Sequence, residues 1–396
     1  MKKILMIGNG FDLAHGLPTR YKDFLEFCEK ATPIYEEELN VFDDEYNKKY
    51  LHSWAFDDTV KRLLNEAFKS KDYDVAKLVT ANIHLNELYE CIQNNLWYEY
   101  FKLIICNKQY NGENWIDFES EIARAIKEIE VYHHAISSGQ SIKGEPQIFM
   151  LYPFVCKKKS VPPVATGNIK GIDSVISTLY EDLNRLTRAL EIYLSVFVSA
   201  IEIDKPIADL EGQEFDYVLS FNYTDTYERV FREVITDKTE ICYLHGKANK
   251  DAKIESCNLV LGIDEYLPEE ERNVELTFLS FKKFYQRIYK CTDNSYSNWL
   301  DEVCKLSLSG ERENEFELHI FGHSLDITDK DILEKFILND NVQTKIYYHQ
   351  RDKHDKSDFS SKIRNLIKII KQDKLIERTG GGSKNTIEFI PQNIGN

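Results

Sequence analysis

The sequence predicts an α/β protein built on a mostly parallel sheet, with a large α-helical insertion after the first strand. Three observations carry this. The chain opens on a short apolar run, Ile4-Leu5-Met6-Ile7, stopped by Gly8-Asn9-Gly10. From about residue 20 to 200, apolar residues recur at helical spacing, and from about 214 onward short apolar runs alternate with helical patterns. Short unbroken apolar runs suit strands buried on both faces, and strand–helix alternation suits a parallel sheet. The expected division is residues 1–24 plus 214–396 for the α/β domain and 25–213 for the insertion.

Each element follows from its own pattern. Leu85, Leu88, Ile92 and Leu96 step by three and four, as do Ile176, Leu179, Leu183, Leu186, Leu190, Leu194 and Phe197. Both sets are core stripes of amphipathic helices. Residues 137–170 carry Gly139, Gly144, Pro146, Pro153, Pro162, Pro163 and Gly167, which is loop chemistry and reads as a crossover or lid. Strands are expected at Phe215–Leu219, Ile241–Leu244, Leu259–Leu261, Leu318–Phe321 and Ile346–Tyr348, with a helix over Phe359–Ile370. Gly380-Gly381-Gly382 marks a turn before a last strand.

Composition narrows the class. The net charge of −16, with no long basic block, argues against nucleic acid as a partner. The N-terminal apolar run imitates a secretory leader but is interrupted by Gly8-Asn9-Gly10 and Asp12, and no stretch reaches membrane-span length. Cysteines at 28, 91, 106, 156, 242, 257, 291 and 304 form no Cys-x-x-Cys pair, so reduced thiols in a cytoplasmic protein are expected.

Four polar clusters directly follow expected strands: Gly8-Asn9-Gly10-Phe11-Asp12, Phe221-Asn222-Tyr223-Thr224-Asp225, His245-Gly246, and Gly322-His323-Ser324-Leu325-Asp326. Ligands of open parallel sheets bind beyond the carboxyl ends of the strands, so the clusters are expected to converge there. Gly8-Asn9-Gly10 entering a helix is an arrangement that can bring backbone N–H groups to a diphosphate; the alternative is a tight strand-to-helix turn. Asn222 can donate and accept toward sugar hydroxyls or water, or close an Asx turn. His245 is a candidate general base or a structural strand-end histidine. His323, Ser324 and Asp326 lie too close in sequence for triad geometry. His133-His134 has no partner at i+4, and no metal is expected. Trp115-Ile116-Asp117-Phe118-Glu119 reads as a helix start, with Asn114 as cap and Asp117 at the third helical position.

The string Ile7-Gly8-Asn9-Gly10-Phe11-Asp12-Leu13-Ala14-His15-Gly16-Leu17-Pro18-Thr19, with Tyr21 and Phe24, resembles the opening signature of the bacterial AbiH family of phage abortive infection. The Trp-x-Asp-Phe-Glu cluster at 115–119 adds to that resemblance. A more distant similarity is to the sirtuin-like, Rossmann-like fold. Gly8, Gly10, Gly16 and Pro18 share the register of its glycine loop, Asn222 matches its catalytic-loop asparagine, and His245-Gly246 its histidine-glycine pair. Leu261-Gly262 and Gly322-His323-Ser324-Leu325 match two later segments.

The resemblance implies an antiphage effector that releases nicotinamide from NAD, with Asn222 and His245 catalytic. Gly8, Asn9, Gly10, Phe11, Asp12, Gly322, His323, Ser324 and Asp326 would then contact NAD. The alternative is a non-catalytic NAD or ADP-ribose sensor or interaction module in phage defence. Where sirtuins have serine, glutamine and aspartate, this chain has Asp12, Phe221 and Thr224, and it lacks zinc-ribbon cysteine pairs. Zinc-dependent deacetylation is therefore disfavoured. The expected partners are NAD or a related nucleotide, a phage-derived trigger and further copies of the chain, with neither nucleic acid nor membrane.

Overall fold

A computed structural model describes residues 1–41, 61–65, 68, 73, 75–106, 117–137, 169–203, 207–264, 276–305, 316–352, 354–382 and 385–392. The chain forms two compact units. One comprises Met1–Pro18, Ile203–Lys247 and Thr292–Asn396, and the other Thr19–Glu202 and Ala248–Cys291.

The first unit holds a six-stranded sheet: β1 Lys2–Ile7, β2 Tyr217–Ser220, β3 Glu240–Tyr243, β4 Phe316–Phe321, β5 Val342–Tyr348 and β6 Ile387–Pro391. Its order is β3-β2-β1-β4-β5-β6, and every pairing is parallel. This is the order of Rossmann-type doubly wound sheets, in which strand progression reverses beside the first strand. The first strand is therefore central, as its unbroken apolar run requires. Ile4 and Met6 pack on one face with Leu219, Ile320, Trp299 and Phe336. Leu5 and Ile7 pack on the other with Val218, Phe321, Tyr227 and Phe231. Helices Lys330–Ile337 and Ser357–Ile370 supply the crossovers after β4 and β5.

Between β1 and β2 the regular elements include the helices Tyr21–Val41, Val75–Ile92, Leu96–Cys106, Phe118–Ser137 and Ile169–Ile192, the last continued by a π turn at Tyr193–Phe197. The two apolar stripes read from sequence are core apart from half-buried Ile176: Leu88, Leu179, Leu186 and Phe197 are fully enclosed. Phe118 stacks between Tyr21, at 4.2 Å, and Phe101, at 4.0 Å, with both rings within 8° of parallel. Asp117 is the cap of its helix, accepting from the Glu119 N–H at 3.0 Å, and not an interior position as the sequence suggested. Asn114 and Trp115, like residues 138–168, lie outside the described residues.

One buried side chain ties the start of the segment after Lys247 to the helices. Arg188 is fully buried, pairs with Glu191 at 2.6 Å and Glu87 at 2.7 Å, and donates to the carbonyls of Asn249 and Lys250. A buried guanidinium needs all of these partners, and the segment supplies two.

One expected strand is absent. Leu259–Leu261 is buried but forms no ladder. Its backbone is satisfied by side chains instead. Gln286 accepts from the Leu261 N–H at 3.1 Å and donates to the Leu261 carbonyl at 3.0 Å, while Lys290 donates to the Leu259 carbonyl. A short apolar run signals burial, and burial does not require a sheet partner. Gln286→Met keeps the volume but strands the two Leu261 groups, and should lower stability by about 2–4 kcal/mol in urea unfolding.

Candidate active site at the carboxyl edge of the sheet

All four polar clusters leave the same edge of the sheet unit. In register, Ile7 pairs with Ser220 on one side and Phe321 on the other, so the chains departing at Gly8, Phe221 and Gly322 start level. The edge between β1 and β4 is where strand order reverses, the position at which open α/β sheets bind ligands.

The two glycine loops are locked together. Gly10 N–H donates to the Gly322 carbonyl at 2.8 Å, Gly8 N–H to Phe321 at 3.1 Å, and Phe11 N–H turns back to Gly8 at 2.8 Å. Gly322 has φ +66°, and a Cβ there would stand 2.1 Å from Phe11 N and 2.5 Å from Gly10 C. At Gly10 a Cβ would meet Gly322 Cα at 2.7 Å. The glycines thus serve loop-to-loop contact, and these three N–H groups are committed to protein carbonyls. Asn9 and Gly10 remain half-exposed at the rim.

Asp12 is sealed beneath that turn. One carboxylate oxygen accepts from the Thr224 hydroxyl at 2.6 Å, and Thr226 donates in turn to Thr224 at 3.1 Å. The other oxygen, Oδ1, is buried without a hydrogen-bond partner. Burial pushes the carboxyl up to about 6, against the opposing pull of the Thr224 hydroxyl and the nearby Thr226 and Asn222 side chains, with the Asp225 charge adding to the rise. Asn222 itself is buried, and its Nδ2 donates to the Gly8 carbonyl at 3.0 Å, tying the β2 loop to the β1 loop.

His245, after β3, and His323, after β4, both turn toward Asp329. His323 Nε2 lies 3.3 Å from Asp329 Oδ2, and His245 Nε2 lies 3.5 Å from Oδ1. The Phe221 ring sits edge-on to both imidazoles, 4.3 Å from His323 and 5.9 Å from His245. Helix Ser357–Ile370 fixes the β4 loop from outside: Lys362 donates to the His323 carbonyl at 2.8 Å and Asn365 to the Ser324 carbonyl at 3.0 Å. Burial lowers Lys362 from the usual lysine range despite Asp358 at 3.5 Å.

Ser324 is exposed, and Asp326 caps a short turn by accepting from the Thr328 N–H at 3.1 Å. Neither bonds to His323, whose Nδ1 accepts from the Leu325 N–H at 2.9 Å. A serine triad is not formed here. Sequence reading did not single out Asp329, Thr226 or Lys362. Asp329 stands 84 residues from His245, and only the sheet brings the two together. Among the described residues, no group of three or more His, Cys, Asp or Glu is placed to hold a metal, and no helix is long and apolar enough to cross a membrane.

Residues 4–349 match the family model described as Bacteriophage abortive infection AbiH. The chain belongs to the AbiH family. Membership links it to bacteriophage abortive infection, and the Gly-Asn-Gly-Phe-Asp opening of this AbiH chain is the turn that buries Asp12 under Gly322. No curated protein and no solved structure matches the chain.

Two outcomes follow from the geometry. Gly322→Ala should destabilise the protein far more than Gly381→Ala, although both have positive φ, because only the former meets backbone within 4 Å; thermal melting compares them. For Asp12, the folded pKa of about 6 exceeds its ordinary 3.8, so the native state binds the extra proton between those values. Stability attributable to this group is highest below pH 4 and falls as pH rises through 6. Asp12→Asn should therefore gain up to about 3 kcal/mol over the parent at pH 7 and nothing below pH 4, measured by urea unfolding across that range.

Proposed function

We propose that the carboxyl edge of this sheet is an NAD site, and that the protein acts in abortive infection as an NAD glycohydrolase. The observation that supports this best is the strand order. A parallel β3-β2-β1-β4-β5-β6 sheet reverses at β1 and β4, where the two glycine loops and His323 stand, and Asn222 and His245 leave the same edge from the neighbouring β2 and β3.

In this reading the Gly8–Asp12 turn and Ser324 flank the diphosphate and a ribose. The N–H groups of Gly8, Gly10 and Phe11 are already bonded to protein carbonyls, so the contact falls to the half-exposed rim of that turn at Asn9 and Gly10 and not to those three groups. Hydrolysis breaks the bond between ribose C1′ and the pyridinium nitrogen. The electron pair leaves with nicotinamide, which becomes neutral, and the sugar passes through an oxocarbenium-like state. Water then forms the new C1′–O bond and gives its proton to His245. Asn222, held by Gly8, would orient that water or the ribose hydroxyls through its amide oxygen. The products are nicotinamide and ADP-ribose, with no change of oxidation state.

The test is chromatographic detection of nicotinamide and ADP-ribose after incubating purified protein with NAD, with and without phage-infected cell extract. Release should fall by about 100-fold or more in Asn222→Ala and His245→Ala. NAD that binds but is never cleaved would instead make this a sensor of the nucleotide.

A further inference from the structure

Asp329 is the one carboxylate that both candidate-site histidines approach, and nothing in the glycosidic chemistry above uses it. It directly precedes helix Lys330–Ile337, on the chain that follows β4. The histidines come from the ends of β3 and β4, which are separated in the sheet by β2 and β1. Their convergence on one buried carboxyl group thus spans the strand-order reversal.

His323 is fixed on every side. Its carbonyl is held by Lys362, its ring packs against Phe221, and its Nδ1 accepts the Leu325 N–H, for which Leu325 adopts φ +58°. A leucine in the left-handed region carries a local cost, and here it aims an N–H at an imidazole nitrogen. With Nδ1 an acceptor, the neutral ring bears its proton on Nε2, which faces Asp329 Oδ2 at 3.3 Å. Asp329 is thereby oriented by His323 and turns Oδ1 toward His245 Nε2 at 3.5 Å. Both are ion-pair distances, and the His245 approach lacks hydrogen-bond geometry; contacts of this kind often tighten only in the substrate complex.

We infer that Asp329 is a positioning residue for His245. Anchored on His323, its carboxylate holds the His245 proton on Nε2 and so selects Nδ1 as the nitrogen that takes a proton. The proton-accepting role rests on the NAD-hydrolase reading, whereas the choice of tautomer does not. The consequence is a division of labour between two histidines of similar burial: His245 exchanges a proton, and His323 orients the carboxylate. When His245 becomes charged, Asp329 stabilises the imidazolium across the same contact.

The experiment is long-range ¹H–¹⁵N NMR of histidine-labelled protein, with a pH titration, on the parent, Asp329→Asn and His323→Leu. In the parent, both rings should be protonated on Nε2, with His245 Nδ1 at the shift of an unprotonated ring nitrogen. In Asp329→Asn the His245 pKa should drop by about one unit or more, since a neighbouring anion that favoured the cation is gone. In His323→Leu the Nε2–H preference of His245 should weaken. His245 protonated on Nδ1 in the parent, or unchanged in tautomer and pKa when Asp329 is neutralised, overturns the proposal.

Nicotinamide release is measured in parallel. Asp329→Asn should lower kcat by about 100-fold with little change in KM, and should move the acidic limb of the pH profile to lower pH. An unchanged profile counts against Asp329. A parent that releases no nicotinamide overturns the functional reading, while the spectra still decide the tautomer. Should Asp329→Asn fail to fold, Asp329→Glu, which keeps the charge, should preserve the Nε2–H form of His245 that His323→Leu loses.

Discussion

The hydrogen bond from Gly10 N–H to the Gly322 carbonyl is the constraint on which the carboxyl edge depends. It joins the loops after β1 and β4 where the sheet reverses, and it forms only because neither residue carries a Cβ. Once the loops are in contact, Phe11 is driven into the core between Phe231 and Phe321, and Asp12 follows it below the surface. A buried carboxyl must find a donor, which comes from the β2 loop as Thr224, itself held by Thr226. Asn222 closes the arrangement by donating to Gly8. Three loops, from β1, β2 and β4, are thereby fixed by one another.

A second layer rests on the first. With the β4 loop held at Gly322, the backbone beyond it places His323 against Phe221 and gives Lys362 and Asn365 carbonyls to hold from their helix. Lysine buried to this degree is unfavourable unless it reaches an acceptor, and here it reaches the carbonyl of a candidate-site histidine and the carboxylate of Asp358. The polar edge is therefore built from rigid elements, as the proposed nucleotide site would require. Its cost is the unpartnered Asp12 oxygen, a concession of the kind that stable folds make at working sites.

Much of this was legible in the sequence because it depends on local pattern. Ile4-Leu5-Met6-Ile7, stopped by Gly8-Asn9-Gly10, reads as a strand buried on both faces, and its alternate residues do fill the two cores of the sheet. The clusters at 8–12, 221–225, 245–246 and 322–326 are readable because each follows such a run. Leu259–Leu261 shows the limit of that reasoning: the apolar run marks burial faithfully, but the partner of its backbone is Gln286, which no periodicity reveals. Gly8-Asn9-Gly10 was legible as a turn built for close approach, while the thing approached, Gly322, was not. Asp329 was illegible for the same reason, as its meaning lies in two histidines that only the folded sheet brings to it.

Among the described residues, the second unit shows how long helices are kept in place without a sheet. Arg188 at its centre and the Tyr21–Phe118–Phe101 stack bind segments distant in sequence. The central claim concerns the first unit, that the β1/β4 reversal is where a nicotinamide nucleotide sits. Hydrogen–deuterium exchange of the protein with and without saturating NAD tests it most directly. The account predicts slowed exchange concentrated in residues 8–12, 222–226, 243–247 and 322–329, and unchanged exchange in those four segments with NAD present would contradict it.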